Sequence, residues 1–138
     1  MPKLKPQPTP PAAYAAFAAL ALCVVVTWPL VLYPNDLLLG HPGNDNWNHV
    51  WGYWWVAESV SAGVWPQWTD LLSFPDGGTL YFIDTVQALM ATPVHMLVGP
   101  AMAYNLIVMF GFALAAWGAW LLVYRVTGDP ICSGIAMV

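Results

Sequence analysis

Charge is what this sequence has least of. Only 7% of its 138 residues are charged, with three Lys and Arg against seven Asp and Glu, where an ordinary soluble domain carries about 25%. Folded in water, such a chain would expose too much apolar surface, so the scarcity argues against a soluble domain. It also argues against a nucleic-acid partner, because a phosphate backbone is gripped by clustered Lys and Arg. Cysteine is scarce too. Cys23 lies inside an apolar run and Cys132 near the last residue, and neither has CxxC or Cys/His spacing around it. Both read as small buried apolar residues, with no redox or zinc framework. Internal repeats are absent, and low complexity is confined to the Pro-rich start.

What is abundant is apolar: hydrophobic residues make up 59% of the chain. Residues 1–11, MPKLKPQPTPP, form a Pro-rich tail that holds Lys3 and Lys5 and cannot be helical. From 12 to 33 the residues are apolar or small apart from Thr27, a length that suits one crossing of a hydrocarbon core. Pro11 fits the first turn, and Pro34 with Asn35 ends the element. A cleaved signal peptide is the rival, but the run is long for one and Thr27-Trp28-Pro29 is not a small-residue cleavage site. A second span is expected over 103–124, bounded by Tyr104 and Tyr124 and followed by Arg125. Within it Gly111, Ala115 and Ala119 recur every four residues as a small face. Two crossings put Lys3, Lys5 and Arg125 on one side, the cytoplasmic side by the positive-inside rule, and every acidic residue but Asp129 on the other. The 125–138 segment holds the turn Thr127-Gly128-Asp129-Pro130 and the start of a third apolar stretch, too short to span.

The 34–102 loop between the spans is too long and too apolar for a linker. Asn44 or Asp45 is a suitable N-cap for a helix over 46–61, and Gly63 a suitable stop. Trp47, Val50, Trp51, Trp54 and Ala57 follow helical spacing, with Trp55 beside them, and predict an amphipathic helix lying at the membrane interface. Asp45 and His49 are four apart, so they share a helix face. There His49 could orient Asp45, or both could touch a metal; the plainer roles are a helix cap and a polar rim. The run Asn44–Asn48 lacks the glycine and terminal glutamate of a calcium loop. Further on, Pro75-Asp76-Gly77-Gly78 marks a turn and Thr79–Ile83 a short extended piece. Asp84 is expected to cap a short helix that Pro93 interrupts, lying on or dipping into the outer leaflet over 80–98 rather than spanning. Glu58 and Asp70 read as solvated, and His95 as a satisfied interior histidine rather than a ligand to a pigment or metal.

Several short motifs occur in a fixed order. Gly43-Asn44-Asp45 leads into His49-Val50-Trp51 and Trp54-Trp55-Val56. Gly63-x-x-Pro66, Thr69-Asp70, Phe74-Pro75-x-Gly77, Pro93 and Gly99-Pro100 follow, then Ala103-Tyr104-Asn105-Leu106 and Tyr124-Arg125-Val126-Thr127-Gly128. The order resembles the N-terminal region of bacterial multi-span glycosyltransferases of the GT-C type, relatives of the protein mannosyltransferases and arabinose transferases. The resemblance covers nearly the whole chain. It implies a polyprenyl-phosphate-sugar donor and an acidic general base in the first outer loop, with metal contact in some members. Asp45 is the position that carries over as that base, although Gly43-Asn44-Asp45 stands where the family pattern has Gly-Asp.

The sequence therefore predicts an all-α protein of the bacterial inner membrane. Two complete transmembrane helices are joined by an outer loop with interfacial helices, and the N-terminus is cytoplasmic. Its partners are the lipid bilayer and other transmembrane helices or subunits, with a lipid-linked sugar only within a full-length enzyme. No cofactor is expected in the chain itself, though a full-length parent could hold a divalent metal. Two spans cannot enclose a donor cavity, so this length of chain by itself is not expected to be active and reads as the start of a longer transferase. The alternative is a small accessory subunit packed against a photosynthetic or respiratory complex, descended from such a transferase.

Overall fold

The computed structural model describes residues 12–41, 43, 45–80 and 84–138. The Pro-rich tail with Lys3, Lys5 and Pro11, the rival cap Asn44, and residues 81–83 of the expected extended piece lie outside the described residues. The described chain is mostly helical, as expected: α1 (Ala12–Val26), α2 (Asn46–Ser61), α3 (Thr85–Val98), α4 (Pro100–Thr127) and α5 (Pro130–Ile135). Two short strands, β1 (Trp68–Thr69) and β2 (Gly78–Thr79), pair antiparallel with Trp68 opposite Thr79. The chain divides into two compact units, one of Pro29–Val108 and one of the residues up to Trp28 with Met109–Val138. Helix α4 contributes residues to each.

In the 29–108 unit, α2 covers the predicted residues and stops at the predicted place. Gly63, with φ of +71°, donates to Val60 O at 3.0 Å, and Val64 N donates to Ser59 O at 2.8 Å. That pair of bonds is a Schellman ending, which needs a left-handed residue after the last helical turn. The face of α2 that packs within the unit is not the Trp-bearing one. Val50, Tyr53, Val56 and Ala57 are buried, while Trp47 is 67% exposed and Trp51, Trp54 and Trp55 are half-buried. The rings of Trp51 and Trp55 instead stack on one another, 6.2 Å apart and 3° from parallel. Helix α2 packs on α3, and Val50, Tyr53, Val56, Ala88, Ala91, Ala103 and Tyr104 form one core. The small alanines of α3 and α4 leave room for the larger side chains of α2.

Helix α3 runs unbroken through Pro93, where an interruption was expected. The proline ring itself is exposed, and one turn earlier the core contains Ala88 and Ala91. Packing of that face offsets the missing N–H, a cost of about 3 kcal/mol in a bare helix. Gly99, with φ of +91°, ends α3 and hands the chain directly to α4, whose first residue is Pro100. Near the start of α4, Asn105 is 1% exposed and fully committed. Its Oδ1 accepts from Leu39 N at 2.9 Å, and its Nδ2 donates to Pro34 O at 2.8 Å and Leu37 O at 2.7 Å. Tyr104 Oη adds a bond to Leu39 O at 3.3 Å. The irregular stretch from Pro34 to Leu39 is thus held by two adjacent α4 residues.

In the other unit, α1 ends at Val26, not near 33. Pro29 has no N–H for the next helical bond and disfavours helix at Trp28, so the chain turns into a 3₁₀ segment at Leu30–Leu32. At 15 residues α1 is about 22 Å long, short of a hydrocarbon core of about 30 Å. A complete crossing by one helix over 12–33 is therefore not what the structure has. Helix α4 is longer than its expected 103–124. Its 28 residues include an 18-residue window of mean hydropathy 2.2, of which 11% is buried. Among the described residues it is the one helix long and apolar enough to cross a membrane. Trp117 Nε1 donates to Ala12 O at 3.1 Å, and Ala15 packs with Trp120 and Tyr124, whose rings stack 4.8 Å apart. A groove of about 400 Å³ is lined by Ala19, Cys23, Phe112, Ala115 and Ala119 among others. Cys23 is buried as expected, whereas Cys132 is exposed.

Candidate functional site: a histidine–aspartate pair beside two tyrosines

Helix α2 begins at Asp45, whose backbone carbonyl accepts from Asn48 N at 2.9 Å and His49 N at 3.2 Å. The Asp45 side chain makes no capping bond. With φ −73° and ψ 19°, its backbone is not in the extended conformation that aims an N-cap carboxylate at the helix N–H groups. The carboxylate is exposed, and its bond is a long one, 3.4 Å from Asn48 Nδ2. Asp45 occupies the cap position without capping.

One turn along, His49 points its Nδ1 at Asp84 Oδ2, 2.7 Å away. The two side chains remain 35% and 41% exposed. Asp84 stands at the N-terminus of α3, where it too lacks a capping bond. Its carboxylate goes to His49 instead. The carboxylate that orients His49 thus comes from a position 35 residues away, not from Asp45. Beside the pair, the Tyr104 ring lies 6.4 Å from His49 and 20° from parallel, and Tyr53 meets Tyr104 edge-on at 5.8 Å. Burial first, then the negative charge of Asp84, then Tyr104, pushes the Tyr53 hydroxyl up to about 12. Three elements meet here: α2 supplies His49 and Tyr53, α3 supplies Asp84, and α4 supplies Tyr104.

The other singled-out residues stand apart. Glu58 and Asp70 are exposed. His41 Nδ1 accepts from Gly43 N at 3.1 Å. His95 Nδ1 and Trp55 Nε1 are buried without a hydrogen-bond partner among the described residues, so His95 is not the satisfied interior histidine that was expected. Among the described residues no group of three or more His, Cys, Asp and Glu side chains comes together to hold a metal. The pair and its tyrosines bring an imidazole, a carboxylate and two phenols into one cluster. Asp84 escaped the sequence analysis because its position before α3 reads as a cap, and Tyr104 because a tyrosine at a span end reads as a belt residue. A signal was present in retrospect: the two α4 residues that hold the unit together, Tyr104 and Asn105, lie within one of the quoted motifs.

No family model matches the chain, and no curated protein or solved structure gives a significant match.

Proposed function

We propose that this chain forms the N-terminal membrane portion of a GT-C-type glycosyltransferase of the bacterial inner membrane. The enzyme moves a sugar from a polyprenyl-phosphate donor to an acceptor hydroxyl. The observation that supports this best is that residues 29–108 are a folded unit instead of a linker. The motif that carries the family resemblance supplies Tyr104 and Asn105, which fasten that unit. Residues 34–102 lie on the outer side of that membrane, and the N-terminus and Arg125 lie in the cytoplasm, the orientation that the bias of basic residues favours. Helix α4 makes one crossing, and α1 with the turns that follow it makes the other. The acceptor proton is taken at the N-terminal end of α2, where Asp45 and His49 stand.

The accessory-subunit reading has its own support in α4. Most of its apolar surface is uncovered, and the adjoining groove is apolar and partly lined by alanines, as helices that pack on partners often are. Reconstitution in vesicles of a longer enzyme that contains this chain, supplied with radiolabelled polyprenyl-phosphate sugars, separates the two. Transfer to an added acceptor, lost when Asp45 and His49 are both replaced, is the expected result. Failure of every donor, together with stoichiometric co-purification in a larger membrane complex, decides for the subunit.

A further inference from the structure

We propose that His49 and Asp84 are the proton-accepting pair of this unit: Asp84 holds the Nδ1–H, and Nε2 is the free base that takes the acceptor hydroxyl's proton. The last step rests on the transferase reading; the pairing does not.

An ionised carboxylate has only acceptors to offer, so the ring nitrogen 2.7 Å from Asp84 carries the hydrogen. The hydrogen bond at one ring nitrogen fixes the tautomer, and the other nitrogen is left with its lone pair. Among the described residues Asp84 is the polar partner of the His49 ring, and Nε2 has none. The ring plane is set from the side by Tyr104, which is itself tied to Leu39 O. The groups facing the imidazole are Asp84 from α3, Tyr104 from α4 and, behind Tyr104, Tyr53 from α2. At about one-third exposure the ring is held yet reachable. Asp45 has no such positioning: its carboxylate is exposed and makes no capping bond.

In the transfer step the acceptor O–H bond breaks and its proton passes to Nε2. The oxygen's electron pair forms the new bond to the anomeric carbon. The bond from that carbon to the phosphate oxygen breaks, and its electron pair leaves with the polyprenyl phosphate. Asp84 balances the imidazolium until the proton returns to water.

Two measurements in nanodiscs test this, the spectra on this chain and the transfer assay on a longer enzyme that contains it. Long-range ¹H–¹⁵N spectra of ¹⁵N-histidine-labelled protein, at a pH where the ring is neutral, read the tautomer directly. His49 is expected as the Nδ1–H form, reverting to Nε2–H in Asp84→Ala. An Nε2–H form in the wild type, or no change on substitution, overturns the pairing. In the transfer assay His49→Gln should lower kcat at least about 100-fold with KM within about threefold, while the exposed Asp70→Asn variant matches the wild type. A His49→Gln variant that transfers at the wild-type rate overturns the role of Nε2. A wild-type protein that transfers no sugar brings down the transferase reading and the transfer step with it, and the tautomer still decides the pairing.

Discussion

The two units are held together by different means. In the 29–108 unit, particular polar side chains hold particular groups far away in sequence: Asn105 holds the backbone of Pro34, Leu37 and Leu39, and the Asp84 carboxylate holds the His49 ring. In the other unit α1 and α4 meet through alanines, a few stacked aromatics, one bond from Trp117 Nε1 to Ala12 O, and a groove of about 400 Å³ that no described residue fills. The difference follows from what each segment's backbone lacks. An irregular segment has backbone groups that need partners, and a buried amide can supply three at once. Helices satisfy their own backbone groups, so α1 and α4 need little beyond shape to meet.

The sharpest way to break this contrast is to remove the amide. Asn105→Leu leaves Leu39 N–H and the carbonyls of Pro34 and Leu37 without their partner, in a site where the side chain is 1% exposed. At about 1 kcal/mol or more for each orphaned group, the loss should be about 3–5 kcal/mol. Hydrogen exchange over 34–41 should accelerate by orders of magnitude while α1 is unaffected. Unchanged protection there would mean that packing alone holds the segment.

Enlarging an alanine in each unit comes next. Ala91 is fully buried in the α2–α3 core, so Ala91→Leu should overpack it and cost about 2–3 kcal/mol. Ala119 borders the groove, where a leucine has space, so Ala119→Leu should change stability by less than about 0.5 kcal/mol. Thermal unfolding followed by circular dichroism in one detergent compares them. Equal losses would show that the groove is as tightly determined as the core.

Local rules made part of this legible. The limits of α2 and its Gly63 ending were readable because caps and stops are written in adjacent residues. The apolar character of α4 was readable from composition. The face of α2 that packs was not, because Val50 and Ala57 suit either the Trp stripe or the Tyr53–Val56 side, and only α3 decides between them. The end of α1 was missed by treating apolar length as helix length, when Pro29 governs the backbone whatever its hydropathy. At the site, His49 was legible as a candidate by spacing. Its partner was not, because a contact spanning 35 residues leaves no local pattern. Asn105 shows the same limit: nothing in one asparagine at a span end announces three bonds to a loop some 70 residues earlier.

Titration of Tyr53 gives a further test of the first unit. Its hydroxyl is raised to about 12 in the folded protein, against about 10 when unfolded, so folding favours the neutral form. The stabilisation is fully present below pH 10 and is lost as the pH rises from 10 to 12, on the order of 2 kcal/mol in all. Tyr53→Phe should flatten that part of the stability–pH curve. Asp84→Ala should lower the phenol's midpoint modestly, because burial is the larger cause and the Asp84 charge the second. Absorbance near 295 nm follows the phenolate. A midpoint that rises on removing Asp84 would contradict the arrangement.

The smallest effect expected belongs to Asp45, and Asp129 explains why. Both stand at the first position before a helix, and sequence rules treat them alike. At Asp129 the backbone is extended, with φ −103° and ψ 116°, and Oδ1 accepts from Ile131 N at 2.7 Å and Cys132 N at 3.3 Å. The Ile131 N–H first, then the Cys132 side chain and N–H, hold this carboxyl below its usual range. A carboxyl lowered on folding stabilises above its unfolded value and loses that contribution as the pH falls through its folded one. Amide exchange at Ile131 and Cys132 should therefore quicken in Asp129→Ala at neutral pH, and in the wild type on acidification. Asp45, at ψ 19° and without a capping bond, has no such contribution to lose. Asp45→Ala should leave stability within about 0.5 kcal/mol of wild type, against about 1 kcal/mol for a working cap. A larger loss would mean that the carboxylate caps α2 after all. A null result on stability joined to a loss of sugar transfer would instead assign Asp45 to chemistry, because an exposed side chain with no structural task has no other route to activity.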